Sequence, residues 1–209
     1  ANATEVHLQL QAGESVVLRA LENSLPQRQK LKNWNYWQTS GQPVELTGTW
    51  NVEFVQGGPT IPAPFHTTMP GSWTTDSDTN AQAFAGSASY TITFDAPNPT
   101  NKSGLFDLGD VRQSARVELN GKDYGDLIAP PFRVVVDNLK PTGNVLEVEV
   151  TSVAANRIRD LDRRGVNWKT FHDINFVNIH YKPFDAANWP LTPCGLLGPV
   201  TLTDVTAEK

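Results

Sequence analysis

The residues best equipped for chemistry are concentrated between Asn156 and Trp189. Asn156, Arg157, Asp160, Trp168, His172, Tyr181 and Trp189 are the types from which a sugar site is built. A flat aromatic covers the C–H face of a pyranose ring. Planar bidentate groups take pairs of hydroxyls, and a site built on such bonds rejects analogues that cannot complete them. The same stretch admits a plainer use. Arg157, Arg159, Arg163 and Arg164 can pair with Asp160 and Asp162 to hold the segment, with the aromatics as its private core. Stacking and packing use the same side chains, so both readings stand at this level.

Other chemistries fit less well. Glycoside hydrolysis needs two carboxylates across one bond, ~5–5.5 Å apart for retention or ~6.5–9.5 Å for inversion. Asp160, Asp162, Asp173 and Asp185 are the nominal candidates, and the stretch holds no glutamate. Gly71-Ser72-Trp73 lacks the strand–turn–helix context of a nucleophilic serine. His7, His66, His172 and His180 are scattered, with no ligand spacing for zinc. The aspartates and Asn80 in residues 76–85 could offer oxygens to a hard cation. Cys194, the sole cysteine, runs into Gly195-Leu196-Leu197 and reads as a buried, inert thiol. The chain by itself is read as non-catalytic.

These side chains must be carried by a β framework. From Leu105 to Ser152 the sequence alternates apolar and polar residues in three bursts, around Val117–Leu119, Val134–Val136 and Val145–Val150. Period-two alternation means strands with one face in a core and one face wet. Asn120-Gly121 follows the first burst, and both residues tolerate the positive φ of a type I′ turn. Leu46–Val55, Ser89–Phe94 and Val200–Val205 read as further strands, whereas 57–70 and 76–85 read as loops. Residues 1–44 read as an N-terminal hairpin, turning at Ala12-Gly13-Glu14, plus a linker carrying Trp34, Tyr36 and Trp37. That segment is expected to be the tail of a preceding module, or else to add strands to this sandwich, with its aromatics packed along the outside of the sandwich. Residues 45–209 then form an all-β, antiparallel β-sandwich with one long loop excursion, Val153–Pro193. Excursions of that length tend to be functional or interface-forming.

Composition sets bounds. A domain of 209 residues buries enough surface, roughly 70% of what its unfolded chain exposes, to need no disulfide staples. A net charge of −5 argues against nucleic acid or an anionic membrane as partner. No apolar run approaches the ~20 residues of a membrane span, and ANATEVHLQL has no basic-then-apolar signal.

A family resemblance rests on particular residues. Leu108-Gly109, Val111, Ala115, Val117, Asn120-Gly121-Lys122, Gly125, Pro131-Phe132, Asp137, Leu139-Lys140, Gly143-Asn144, Leu146, Val148 and Val150 carry most of it. Gly48–Phe54, Ser72-Trp73-Thr74, Gly86–Tyr90 and Gly195–Val200 extend it outward. The pattern resembles the galactose-binding-like, sugar-binding-type jelly roll attached to large glycoside hydrolases, as in family 2 glycosidases and family 106 α-L-rhamnosidases. The Leu-Leu-Gly-Pro-Val ending leans toward the rhamnosidase-like branch. The resemblance implies a non-catalytic carbohydrate-binding or accessory domain of a larger enzyme of polysaccharide degradation, whose catalytic pair lies in a neighbouring domain. It also implies export, no required cofactor, and a structural calcium ion on loop oxygens. The alternatives are a purely structural domain packed against the catalytic domain and a free-standing carbohydrate-binding protein.

Overall fold

A computed structural model of the protein describes residues 6, 8–10, 15–18, 36–171 and 177–207. Its strands are β1 (Trp37–Glu45), β2 (Trp50–Gly58), β3 (Phe65–Thr67), β4 (Ala85–Phe94), β5 (Gly104–Asp107), β6 (Asp110–Arg112), β7 (Ser114–Leu119), β8 (Lys122–Leu127), β9 (Arg133–Val136), β10 (Asn144–Thr151), β11 (Gly195–Gly198) and β12 (Thr201–Ala207). They form a six-stranded sheet, β3-β2-β4-β10-β7-β8, a four-stranded sheet, β1-β12-β5-β9, and a small pair, β11-β6. Every pairing between these strands is antiparallel. The expected antiparallel β-sandwich is the observed fold.

The alternation explains the layering. On β10, Leu146, Val148 and Val150 are fully buried while Glu147 and Thr151 face outward. Each such apolar side chain stabilises the fold by about 1.5–3 kcal/mol relative to exposure. The two sheets meet where Phe94 of β4 packs edge-on against Phe106 of β5, ring centroids 6.0 Å apart. One end of the core is aromatic: Phe54, Trp73 and Phe84 interlock with centroids 4.9–6.0 Å apart, and Tyr90 is fully buried beside them.

Asn120-Gly121 adopts φ of 53° and 80°, as the turn requires. It joins β7 to β8, while the Val134–Val136 burst crosses to the other sheet as β9. The chain returns from β9 to β10 through residues 137–143, and Asn144 fixes that crossing. Its buried side chain donates to the Lys140 carbonyl at 2.8 Å and accepts from the Lys140 N–H at 2.8 Å. It also accepts from the Asn120 amide at 3.0 Å, while Asn120 Oδ1 takes the Val145 N–H. One buried amide thus ties a hairpin turn to a sheet-to-sheet crossing.

Four sequence expectations are corrected. The region 57–70 is not all loop, because β3 lies within it and pairs with β2 at residues 65–67, none of them proline. Residues 37–45 are not linker: β1 pairs along β12 and is part of the sandwich, so the boundary expected at 44/45 falls inside it. All of β1 after the half-buried Trp37 is exposed, so edge hydrogen bonds hold it without any apolar alternation to read. The region 76–85 is not all loop, because α1 (Thr79–Ala83) is capped by Asp78, which accepts from the Asn80 N–H at 2.8 Å. The excursion opens with a helix, α2 (Ala155–Arg163), whose buried residue is the polar Asn156 and whose apolar residues are only Ala155, Ile158 and Leu161 among six polar ones. The N-terminal hairpin and Trp34 fall largely or wholly outside the described residues.

Asn144→Ala should therefore cost about 1–3 kcal/mol, because it removes a fully buried amide that pairs both backbone groups of Lys140 and the Asn120 amide. Urea denaturation should show a lower midpoint at unchanged slope; an unchanged midpoint would refute the role given to this amide.

Candidate functional site

The excursion from β10 to β11 is held on the core at its return. Asn156 on α2 is 1% exposed. Its Nδ2 donates to the Thr192 carbonyl at 2.8 Å and its Oδ1 accepts from the Thr192 N–H at 2.8 Å. The same Nδ2 lies 3.3 Å from Cys194 Sγ. Burial pushes the Cys194 thiol up to about 11, so it stays protonated, and the Cys194 N–H donates to Ser72 Oγ. The next residue, Gly195, has φ 109°, and a Cβ there would lie 2.3 Å from the Tyr90 hydroxyl and 2.8 Å from the Trp73 ring.

Beyond this closure the segment folds on itself. Trp168, Phe184 and Trp189 form an edge-on aromatic row, with centroids 6.1 and 5.5 Å apart. Asp162, with 6% of its side-chain surface exposed, is the hub beneath it. It accepts from the Trp168 indole at 2.7 Å and the Ala186 N–H at 2.7 Å, and pairs with Lys169 at 3.2 Å. Burial raises the Asp162 pKa, yet the Ala186 N–H, the Trp168 indole and the Lys169 ammonium together outweigh it. The carboxyl consequently sits below its usual range.

The residues expected to bind sugar are divided by this arrangement. Asn156 is an internal clamp with no surface to offer, which corrects its expected place in an open site. Arg157 and Arg164 both bond Asp160, at 3.0 and 2.7 Å, and Arg159 donates to the Trp189 carbonyl at 2.7 Å. The Trp168 indole N–H is held by Asp162. Tyr181 stands on a tight turn at φ 56° and is 78% exposed, and Trp189 is 39% exposed. His172 lies outside the described residues. Asp160 and Asp162 are thus engaged in holding the segment.

Asp76 and Asp78 each cap a backbone N–H. No group of three or more His, Cys, Asp or Glu among the described residues is placed to hold a metal ion. The described side chains therefore make no carboxylate cage for the calcium implied by resemblance.

No protein-family model matches the chain. Over 189 residues it is 35% identical to a putative β-glucuronidase of Formosa agariphila, covering 80% of this chain and 16% of that protein. Among solved structures it superposes on a rhamnosidase from Novosphingobium sp. PP1Y with TM-score 0.61 and 26% identity. That match covers 83% of this chain and 16% of the rhamnosidase. The chain resembles a β-sandwich segment of large glycoside hydrolases. A family 2 β-galacturonidase from Eisenbergiella tayi shares the fold at TM-score 0.50 and 21% identity, across 80% of this chain and 25% of that enzyme. The chain spans about a sixth of the length of its first relatives. Among the described residues no helix is long and apolar enough to cross a membrane.

A further concavity, which the sequence did not mark, lies on the outer face of the four-stranded sheet. It is a groove of about 440 Å³ lined by Trp37, Leu105, Asp107, Arg133, Val135 and Thr203, among others. Period two places Leu105 and Asp107 opposite in facing to Phe106, but no sequence pattern says that β9 lies next to β5.

Two outcomes follow for this segment. Gly195→Ala should lower stability by about 2–4 kcal/mol, combining backbone strain with overlap on Tyr90. Thermal melting followed by circular dichroism measures it, and a melting point like wild type would refute the close approach. For Asp162, a folded pKa below the unfolded value of about 3.9 means its contribution is complete above about pH 4. That contribution is lost as pH falls through the folded value. Acid titration of tryptophan fluorescence should show this transition, and Asp162→Asn should abolish it.

Proposed function

We propose that the chain is a non-catalytic accessory domain of a larger, exported glycoside hydrolase of polysaccharide degradation, and that its excursion packs against the neighbouring catalytic part. The observation that carries this reading is span: the chain matches 16% of each of two long relatives, with good coverage of its own length. The excursion's aspartates support it further, because Asp160 and Asp162 are committed to arginine, lysine, indole and backbone partners. Phe171, Ile179 and Tyr181 are 66–89% exposed on the excursion beyond its closure. Exposed apolar side chains of this size, where they form a patch, are characteristic of surfaces that meet another protein surface.

A second reading is favoured by one observation. Tyr181 and Trp189 keep ring surface toward solvent, so the excursion could offer them to the C–H face of a sugar. In that reading Asn156, Arg157, Asp160 and Trp168 shape the platform from behind.

Two measurements test the leading reading. The chain alone should not turn over aryl glycosides; hydrolysis abolished by Asp160→Asn would overturn it. In the full parent enzyme, Phe171→Ser with Ile179→Ser should speed proteolytic cutting between this domain and its neighbour while the isolated chain melts as before. Equal cutting rates would remove the excursion from the interface.

A further inference from the structure

We propose that the groove on the outer face of the four-stranded sheet is a carbohydrate site, accommodating one ring of a neutral oligosaccharide. The proposal rests on the chain's place within a glycoside hydrolase, and it puts the sugar away from the excursion.

Register sets the face. Thr203, Leu105 and Val135 stand in one row across β12, β5 and β9, and Thr201, Asp107 and Arg133 stand in the next. Thr39 of β1 lies opposite Val205, and Trp37 follows two residues along on the same side. Outward-facing Val205 and Thr203 are only 1% and 7% exposed, so this face is walled where a bare sheet would be open. Trp37 is fixed at the wall by Gln9, whose side chain donates to the Trp37 carbonyl at 2.7 Å and accepts from its N–H at 3.0 Å.

The chemistry of the lining selects the ligand. Arg133 donates through Nε to Asp107 Oδ2 at 2.7 Å, and Asp107 Oδ1 accepts from the Gly109 N–H at 2.9 Å. The guanidinium is therefore oriented, and its terminal nitrogens make no hydrogen bond to any described residue. A planar fork held in this way matches two adjacent hydroxyls. Leu105 and Val135 give an apolar floor, Trp37 an aromatic wall, and Thr201 a hydroxyl beside them. A pyranose, apolar across its C–H face and polar at its rim, meets each of these. The groove lies within the roughly 300–1,000 Å³ of small-molecule sites. Arg133 and Asp107 cancel in charge, so an anionic sugar would gain little from the arginine and would face the aspartate.

Calorimetric titration of the chain with β-1,4-linked gluco-, xylo- and manno-oligosaccharides, and with oligogalacturonate, tests this. At least one neutral oligosaccharide should bind, and more tightly than oligogalacturonate. Trp37→Ala and Arg133→Lys should each weaken that binding by about tenfold or more. Arg133→Lys keeps the ion pair with Asp107 and lacks the fork, so it remains informative if Trp37→Ala loosens the edge strand. Tyr181→Ala and Trp189→Ala should leave affinity unchanged. The site is overturned if no neutral sugar binds, if only oligogalacturonate binds, or if Arg133→Lys binds as wild type does. Those failures leave the accessory-domain reading standing, because that reading is judged by turnover and by proteolysis of the parent.

Discussion

The structure turns on a close approach at Gly195. There the returning backbone lies against Tyr90 and Trp73 with no room for a Cβ. Burial raises the Tyr90 pKa, so the phenol stays neutral in that position. The residue before Gly195 donates to Ser72, and the thiol beside it meets the Asn156 amide. Helix α2, the start of β11 and the aromatic end of the core therefore converge within a few residues. Closely packed interiors transmit such a constraint, because neighbouring side chains have little freedom to give way.

Polar contacts hold the described part of the excursion in place. Fixing a residue's backbone costs roughly 1–2 kcal/mol, so a segment this long must recover free energy through contacts. It does so twice. Asn156 satisfies both backbone groups of Thr192 from a buried position. Asp162 gathers an indole, a backbone N–H and an ammonium under three interlocked aromatic rings. Each polar group used this way is unavailable to a ligand, since a buried group left unpaired is costlier than one that was never hydrogen-bonded. Residues assembled to stabilise a loop and residues assembled to bind a sugar compete for the same donors.

The four-stranded sheet has the complementary character. On the outer face of the four-stranded sheet, an arginine oriented by an aspartate keeps its terminal nitrogens free of described partners beside an aromatic wall. Strands set these groups at fixed register, which holds their geometry more rigidly than a long loop would. Separate surfaces of the sandwich are thereby proposed for contact with a neighbour and for recognition.

Sequence by itself determined the central strands and their facing. Leu146, Val148 and Val150 against Glu147 and Thr151 leave one possible orientation, and Asn120-Gly121 has the residues that a positive-φ turn needs. It also marked Cys194 as buried, because a thiol against Gly195-Leu196-Leu197 has apolar neighbours on the chain itself. Tertiary structure alone decided which strands are neighbours, and so which outward residues meet. Arg133 and Asp107 are 26 residues apart and become partners only because β9 crosses to the sheet that holds β5. The strand β1 was hidden because edge pairing uses backbone groups that every residue carries. The split among Asn156, Asp160, Trp168, Tyr181 and Trp189 was hidden for a related reason. Side-chain type records what a residue can bond, whereas burial and proximity select the bond it makes.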